Sequence, residues 1–548
     1  MKTLPLLFAF LSSTALAQAT PHFDPARLSH HVEILASDAY EGRGPATAAE
    51  PKTIDYIVGQ FKAIGIQPGG DLKGGTRAWT QDVPLLRASI TGTPTLSITS
   101  NGTVIPLAQG DQIAVRAAMT GEKQVTLHNV PLLFVGYGTS APERKWDDFK
   151  GVDVRGKLLV VLINDADFET GSGDFGGKAM TYYGRWTYKY EEAARRGAAG
   201  VLIVHETAPA SYGWATVKNS NTNTMFDIVR ADPKAAHTPF ESWIQRDLAV
   251  KLFADSGLDF EAAKKAAQSR DFKPMPLKAT LSANYAVQSE TIVSHNVVGR
   301  LTGAKHPDET VVYSAHWDHL GIGQPDAKGD RIYNGAVDNA DGIAVLIEMA
   351  RAFAAGPKPD RSILFLAVTA EEKGLLGSEY YAANPLYPLA TTVGMLNTDA
   401  LSTAGPARDF TISGSAKLGL LDDLIAEGAK QGRTFTPDPQ TEAGHFYRSD
   451  HFPMAKRGVP AISIGSGEDL VQGGKAAGKA ESEAYVRDKY HQPADEWTPD
   501  WNASGQALDA ELIYALGQRL ANSREWPNWS ADSEFRAIRD TSAAARKP

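Results

Sequence analysis

Four short stretches between Val311 and Asp399 carry the residues able to do chemistry: YSAHWDHLG, NGAVDNADG, LAVTAEEKGLLGSEYY and MLNTDAL. In three of them a His or an acid follows a short apolar run: VVYS before His316, ILFLAVT before Glu371 and Glu372, and VGMLNT before Asp399. Runs of this kind read as buried parallel strands, covered by helices on both faces. Ligands of open α/β sheets bind at the carboxyl ends of the strands. Separate strands are therefore expected to deliver His, Asp and Glu to one rim. The second stretch places Asp338 between a Gly-rich loop and a helix expected from Asn339 to about Ala354. An acid there is often only a cap. Far downstream, DKYHQPADEW adds His491.

Two His, two Asp and one Glu are enough donors for two divalent ions that share a carboxylate, an arrangement typical of hydrolases. Imidazole with carboxylate suits zinc best, with cobalt or manganese able to substitute. Asp318, two residues after His316, is placed to orient that imidazole. Neighbouring side chains on extended backbone diverge, so one member of the Glu371–Glu372 pair can hold metal while the other faces substrate as a general base. Burying both without positive charge nearby would be costly.

The chain that must position these groups has 548 residues, 43% hydrophobic and 22% charged, with a formal net charge of -9. Two or three domains are expected at this length. The charge, and the lack of a long basic run, argue against a nucleic-acid partner. There are no cysteines, which removes disulfides, thiolate metal sites and a thiol nucleophile. A G-x-S-x-G nucleophile elbow is missing too. At the N-terminus, Lys2, the run LPLLFAFL and the small residues Ala15 and Ala17 read as a signal peptide, residues 1–17, with export to the periplasm or medium. No later segment is apolar enough to serve as a membrane span.

In chain order, residues 21–128 contain a helix with Ile54, Ile57, Val58 and Phe61 on one stripe, stopped at Gly65. Two strands around an Asn-Gly turn follow, in TPTLSITSNGTVIPL. Glu41-Gly42-Arg43-Gly44 reads as a turn with a structural role. Residues 129–289 form a smaller unit with a loop-rich stretch, DADFETGSGDFGGKAMTYYGRW, that could line a cleft. A main domain spans 290–525, with a helix in ALDAELIYALGQRLAN. The polar segment 526–548 reads as a loosely held tail.

HWDHLG, GDRIYNGAVDNADG, TAEEKGLLGSEYY, the Asp of NTDAL, RSDHFPMAKRGVPA and KYHQPADEW, taken in order, resemble the M28 family of metallopeptidases, the co-catalytic zinc aminopeptidase group. VDVRGKLLVVL and EAARRGAAGVLIV resemble the protease-associated (PA) domain that many of these enzymes carry as an insert. The resemblance implies an α/β fold with a mixed, mainly parallel sheet and helices on both faces, plus a smaller β-rich insert. It implies two zinc ions and a peptide substrate. Asp338 would bridge the ions, His316 and Asp399 would complete one site, and Glu372 and His491 the other. Glu371 would be the general base, Asp318 would orient His316, and Tyr447 would steady the oxyanion. Val337, Asp341 and Ala400 depart from the common family pattern, which touches pocket shape more than the ligand set. Carboxypeptidases and glutaminyl cyclases share this fold, and a non-catalytic binding protein is the alternative from another class.

Overall fold

The computed structural model describes residues 21–546, so the expected signal segment 1–17 lies outside the described residues. Strand His306–His316 organises the larger half. Strands Arg361–Val368 and Thr392–Thr398 flank it, both parallel to it, and Ala461–Ser466 continues the parallel set. Met275–Leu301 closes one side antiparallel, and Asp409–Ile412 lies antiparallel on the other. Every residue of Arg361–Val368 and Thr392–Thr398 is buried. That is why these segments read as continuous apolar runs rather than alternating ones.

Helices Pro25–Leu35, Glu50–Ile64, Asp341–Ala355 and Ser504–Asn522 supply the facing apolar surfaces of one core. Helix Glu50–Ile64 ends where expected, with Gly65 at φ 87° as its left-handed cap. Helix Ser504–Asn522 approaches the sheet closely through Gly517, where an added Cβ would lie 1.5 Å from the Tyr313 hydroxyl.

Two very long strands, Thr80–Ser100 and Met275–Leu301, pair antiparallel along most of their length. Val297 and Val298 sit in the first core, whereas Leu96, Ile98, Leu281 and Ala283 sit in a second one. The ribbon therefore ties two cores into one 16-stranded sheet. The boundaries expected at 128/129 and 289/290 fall inside strands Gln124–Phe134 and Met275–Leu301. A strand that continues from one core into the other keeps its period of two, so composition gives no break there.

The smaller unit, expected to be β-rich, holds more strand than α-helix among its described residues. Its centre is itself α/β: strands Leu158–Leu162, Gly200–His205 and Phe240–Gln245 are parallel, with helices Trp186–Arg195, Arg246–Asp255 and Phe260–Ala266. The loop-rich stretch before it docks on the main core, with Met180 N–H donating to Thr441 O and Tyr182 N–H to Glu534.

The tail is a correction. Trp529 and Phe535 are buried in the main core, and Arg539 donates to the Thr392 carbonyl. Two large aromatics within seven residues outweigh a polar average, because each can remove roughly 150–250 Å² from water. Among the described residues, no helix is long and apolar enough to cross a membrane.

Candidate metal centre

His316 is the last residue of strand His306–His316, Glu371 and Glu372 follow strand Arg361–Val368, and Asp399 follows Thr392–Thr398. Parallel register brings all three strand ends to one rim. Asp338 reaches the same place from an irregular turn before helix Asp341–Ala355. It is not that helix's cap, since its backbone is extended (φ -111°, ψ 89°) and Ala340 takes the cap position.

The buried His316 donates through Nδ1 to the carbonyl of Asp318 at 3.0 Å. A carbonyl only accepts, so Nδ1 carries a proton and Nε2 is the nitrogen turned to the carboxylates. That Nε2 lies 3.1 Å from Asp399 Oδ1 and 3.3 Å from Asp338 Oδ1. The other oxygen of Asp338 lies 3.2 Å from His491 Nε2, which is also 3.2 Å from Glu372 Oε2. Asp338 thus turns one oxygen to each histidine. Four of the expected ligands converge through this carboxylate, and Glu371 groups with His316 and Asp399.

Two expected roles look different in detail. The carbonyl of Asp318, rather than its carboxylate, holds His316; the nearer carboxylate oxygen is 3.8 Å away and instead accepts the N–H of Glu371 at 3.1 Å. Tyr447 lines the cavity that contains Glu371, Glu372 and His491, but its hydroxyl donates to Glu534 at 3.3 Å.

Three site residues escaped the sequence reading. His319 is fully buried, and its Nδ1 lies 2.6 Å from Glu372 Oε1 and 4.0 Å from Asp338 Oδ1. Neither ring nitrogen has a hydrogen-bond partner. A second donor group, His319 with Asp338 and Glu372, results. The signal was in HWDH, where a second His follows the strand end. Asp495 accepts the N–H groups of Val337 and Asp338 at 3.0 and 3.1 Å, fixing the turn that carries Asp338. Arg43, buried, donates to four carbonyls: Trp317, Leu35, Asn334 and Gly335. It clasps the segments bearing His316 and Asp338. Gly42 allows this turn, at φ 66° with a Cβ that would meet the Tyr333 carbonyl at 2.4 Å.

The electrostatics call for added positive charge. Burial pushes Glu371 well above the usual carboxylate range; His316 opposes this, and the charges of Asp399 and Glu372 add to it. Burial likewise raises Asp318 to about 6 and Asp450 to about 7. Against its own burial, His491 is held up at about 10 by Asp338 and Glu372. Asp318 Oδ2 and His319 Nε2 are buried without a hydrogen-bond partner, and His319 Nδ1 and Glu372 Oε1 face each other outside hydrogen-bond geometry. Nitrogen and oxygen donors in this setting fit divalent ions of the zinc, cobalt or manganese type.

Two outcomes follow from this geometry. His319→Ala should weaken zinc binding roughly 10–100-fold, read by competition with a chromophoric chelator; an unchanged affinity would mean His319 contributes only packing. Arg43→Lys keeps the charge but cannot serve four carbonyls. Each orphaned carbonyl costs about 1–3 kcal/mol, so thermal unfolding should shift down by several degrees and zinc should exchange faster.

Residues 296–514 match the profile of peptidase family M28. A probable zinc metalloprotease of Pyricularia oryzae is 36% identical over 113 residues, which cover 21% of this chain and 22% of that protein. Leupeptin-inactivating enzyme 1 of Streptomyces exfoliatus is 28% identical over 250 residues, 42% of this chain and 50% of that one. The chain thus spans between about a fifth and a half of the length of these curated relatives. Among solved structures, the aminopeptidase of Aneurinibacillus sp. strain AM-1 is 19% identical with a TM-score of 0.49, covering 92% of this chain and 95% of that one. The match to peptidase family M28 is thus confined to residues 296–514, the segment that carries the strand-end acids and histidines in order.

Proposed function

We propose that this protein is an exported exopeptidase with two zinc ions, an aminopeptidase by its motifs, that hydrolyses peptide bonds at a chain end. The observation that carries the reading is Asp338, whose two oxygens face His316 and His491 at 3.3 and 3.2 Å. His316 and Asp399 would share one ion with Asp338. Glu372 and His491 would share the other, with His319 offering a further nitrogen. When bound, the ions would polarise the scissile carbonyl and acidify the attacking water.

Glu371 would accept the proton of that water and deliver it to the leaving amine. Its N–H is pinned by Asp318, so its carboxyl is carried on a fixed backbone. The cavity beside it, about 320 Å³, has the size of a small-ligand site. Residues 129–289, in the position of a PA-like insert, form one wall of that cavity through Arg185, Trp186 and Tyr190. Lys2 with its apolar run and Ala15-x-Ala17 supports export.

Glu371→Gln should retain two zinc ions by elemental analysis yet lose about 10²–10⁴ in kcat; a variant with near-full turnover would remove Glu371 from the mechanism. A second measurement is mass spectrometry of one peptide offered with a free and with an acetylated N-terminus. Stepwise losses from the free N-terminus alone are expected. Losses from the C-terminus of both peptides would make the enzyme a carboxypeptidase.

A further inference from the structure

The cavity beside Glu371 is lined by many charged side chains, and most of them are internally paired. Arg230 lies 2.6 Å from Asp227 and 3.5 Å from Glu379. His237 sits between Asp227 and Glu241, 3.0 Å from each. Arg116 is 3.4 Å from Glu241, and Lys456 is 2.8 Å from Glu191. Every one of these carboxylates is therefore engaged by a neighbour in the same wall.

Three cations remain. Among the described residues, Arg185, Lys373 and Arg448 have no carboxylate within ion-pair distance, although all three line this cavity together with Glu371, Glu372 and His491. Arg185 comes from the middle segment, Lys373 follows the Glu371–Glu372 pair, and Arg448 follows Tyr447. Arg185 Nε is buried without a hydrogen-bond partner, and its guanidinium rests 5.9 Å from the Trp186 ring. Arg448 donates only to the Ala443 carbonyl. Lys373 faces the Phe226 ring at 5.9 Å. Burial and the charge of Arg448 pull Arg185 down to about 10, which still leaves it charged at neutral pH. A planar guanidinium with free donors is suited to bidentate capture of a carboxylate.

A second cavity of about 590 Å³ begins at Asp399 and is walled by Asp409, Asp438, Glu468, Glu481 and Asp488, with Lys489 and His445 beside them. In the first cavity, Arg185, Lys373 and Arg448 are the cations without a carboxylate at ion-pair distance, whereas acids outnumber cations in the second.

We infer that Arg185 and Arg448 form a carboxylate-binding subsite, so that the preferred substrates are peptides bearing a carboxylate within reach of the scissile bond. That carboxylate is supplied either by the C-terminus of a short peptide or by an acidic side chain. The inference rests on the peptidase reading above and deepens it. It also gives the middle segment a role, since Arg185 can reach the site only because that segment closes over it.

The test uses the zinc-loaded full chain and matched neutral and acidic peptides. Leu-Ala against Leu-Ala-amide reports a terminal carboxylate. Glu-Ala-amide against Gln-Ala-amide, and Leu-Glu-amide against Leu-Gln-amide, report a side chain on either side of the bond. The acid should be favoured at least tenfold in kcat/KM in one of the three pairs, mainly through KM. Arg185→Gln and Arg448→Gln should each reduce that ratio to within about threefold, and Arg185→Lys should restore part of it. Ratios near one in all three pairs, or an Arg185→Gln variant that slows acid and amide equally, would overturn the inference. If no peptide is turned over, the peptidase reading fails, and calorimetry of the same pairs with zinc-loaded Glu371→Gln protein decides the subsite separately. Tighter acid binding that is lost on adding Arg185→Gln sustains it, and equal binding removes it.

Discussion

The structure depends on reconciling a crowd of carboxylates with burial. Asp318, Asp338, Glu371, Glu372, Asp399, Asp450 and Asp495 meet at one rim, where His316, His319, His491 and Arg43 are the cationic or ionisable partners. Two like charges 4 Å apart near a protein surface repel by about 4 kcal/mol. A fold that places several such pairs together is stable only if positive charge sits among them. Divalent ions would meet that need with the donors present, and the chemistry and the local stability of this region would then share one cause.

The rest of the molecule arranges that crowd. Parallel strands align their ends, which brings residues separated by more than 80 positions in sequence to within 3.1 Å, as for His316 and Asp399. Arg43 and Asp495 then fix the connecting segments, the first through four carbonyls and the second through two N–H groups. Neither reaches toward the donors it positions. The long ribbon Thr80–Ser100 with Met275–Leu301 joins the core of the middle segment to this sheet, and the loop after Asp165 docks on residues near Tyr447. The outcome is a candidate metal centre on one core and a cavity wall contributed by another.

Much of this was legible from residue order. Apolar runs followed by His316, Glu371 and Asp399 announced parallel strands with their chemistry at the carboxyl ends, because burial on both faces erases the alternation of a half-exposed strand. Other features were hidden for identifiable reasons. Arg43 acts on carbonyls nearly 300 residues away, and a contact of that range leaves no local pattern. Asp495 lies in a motif whose His491 drew the attention. His319 was visible as the second His of HWDH, but one strand-end His had already satisfied the ligand count. Asp318 acts on His316 through its main chain, which no side-chain pattern can indicate. The tail misled because its charged residues outnumber Trp529 and Phe535, although those two decide where it packs.

The most direct test of the account is anomalous diffraction from crystals of the zinc-loaded protein, recorded at energies above and below the zinc edge. Two peaks are expected on either side of Asp338, one beside His316 and Asp399 and one beside Glu372 and His491. A single peak away from Asp338, or no zinc at this rim, would contradict the claim that the carboxylate cluster exists to hold a pair of metal ions.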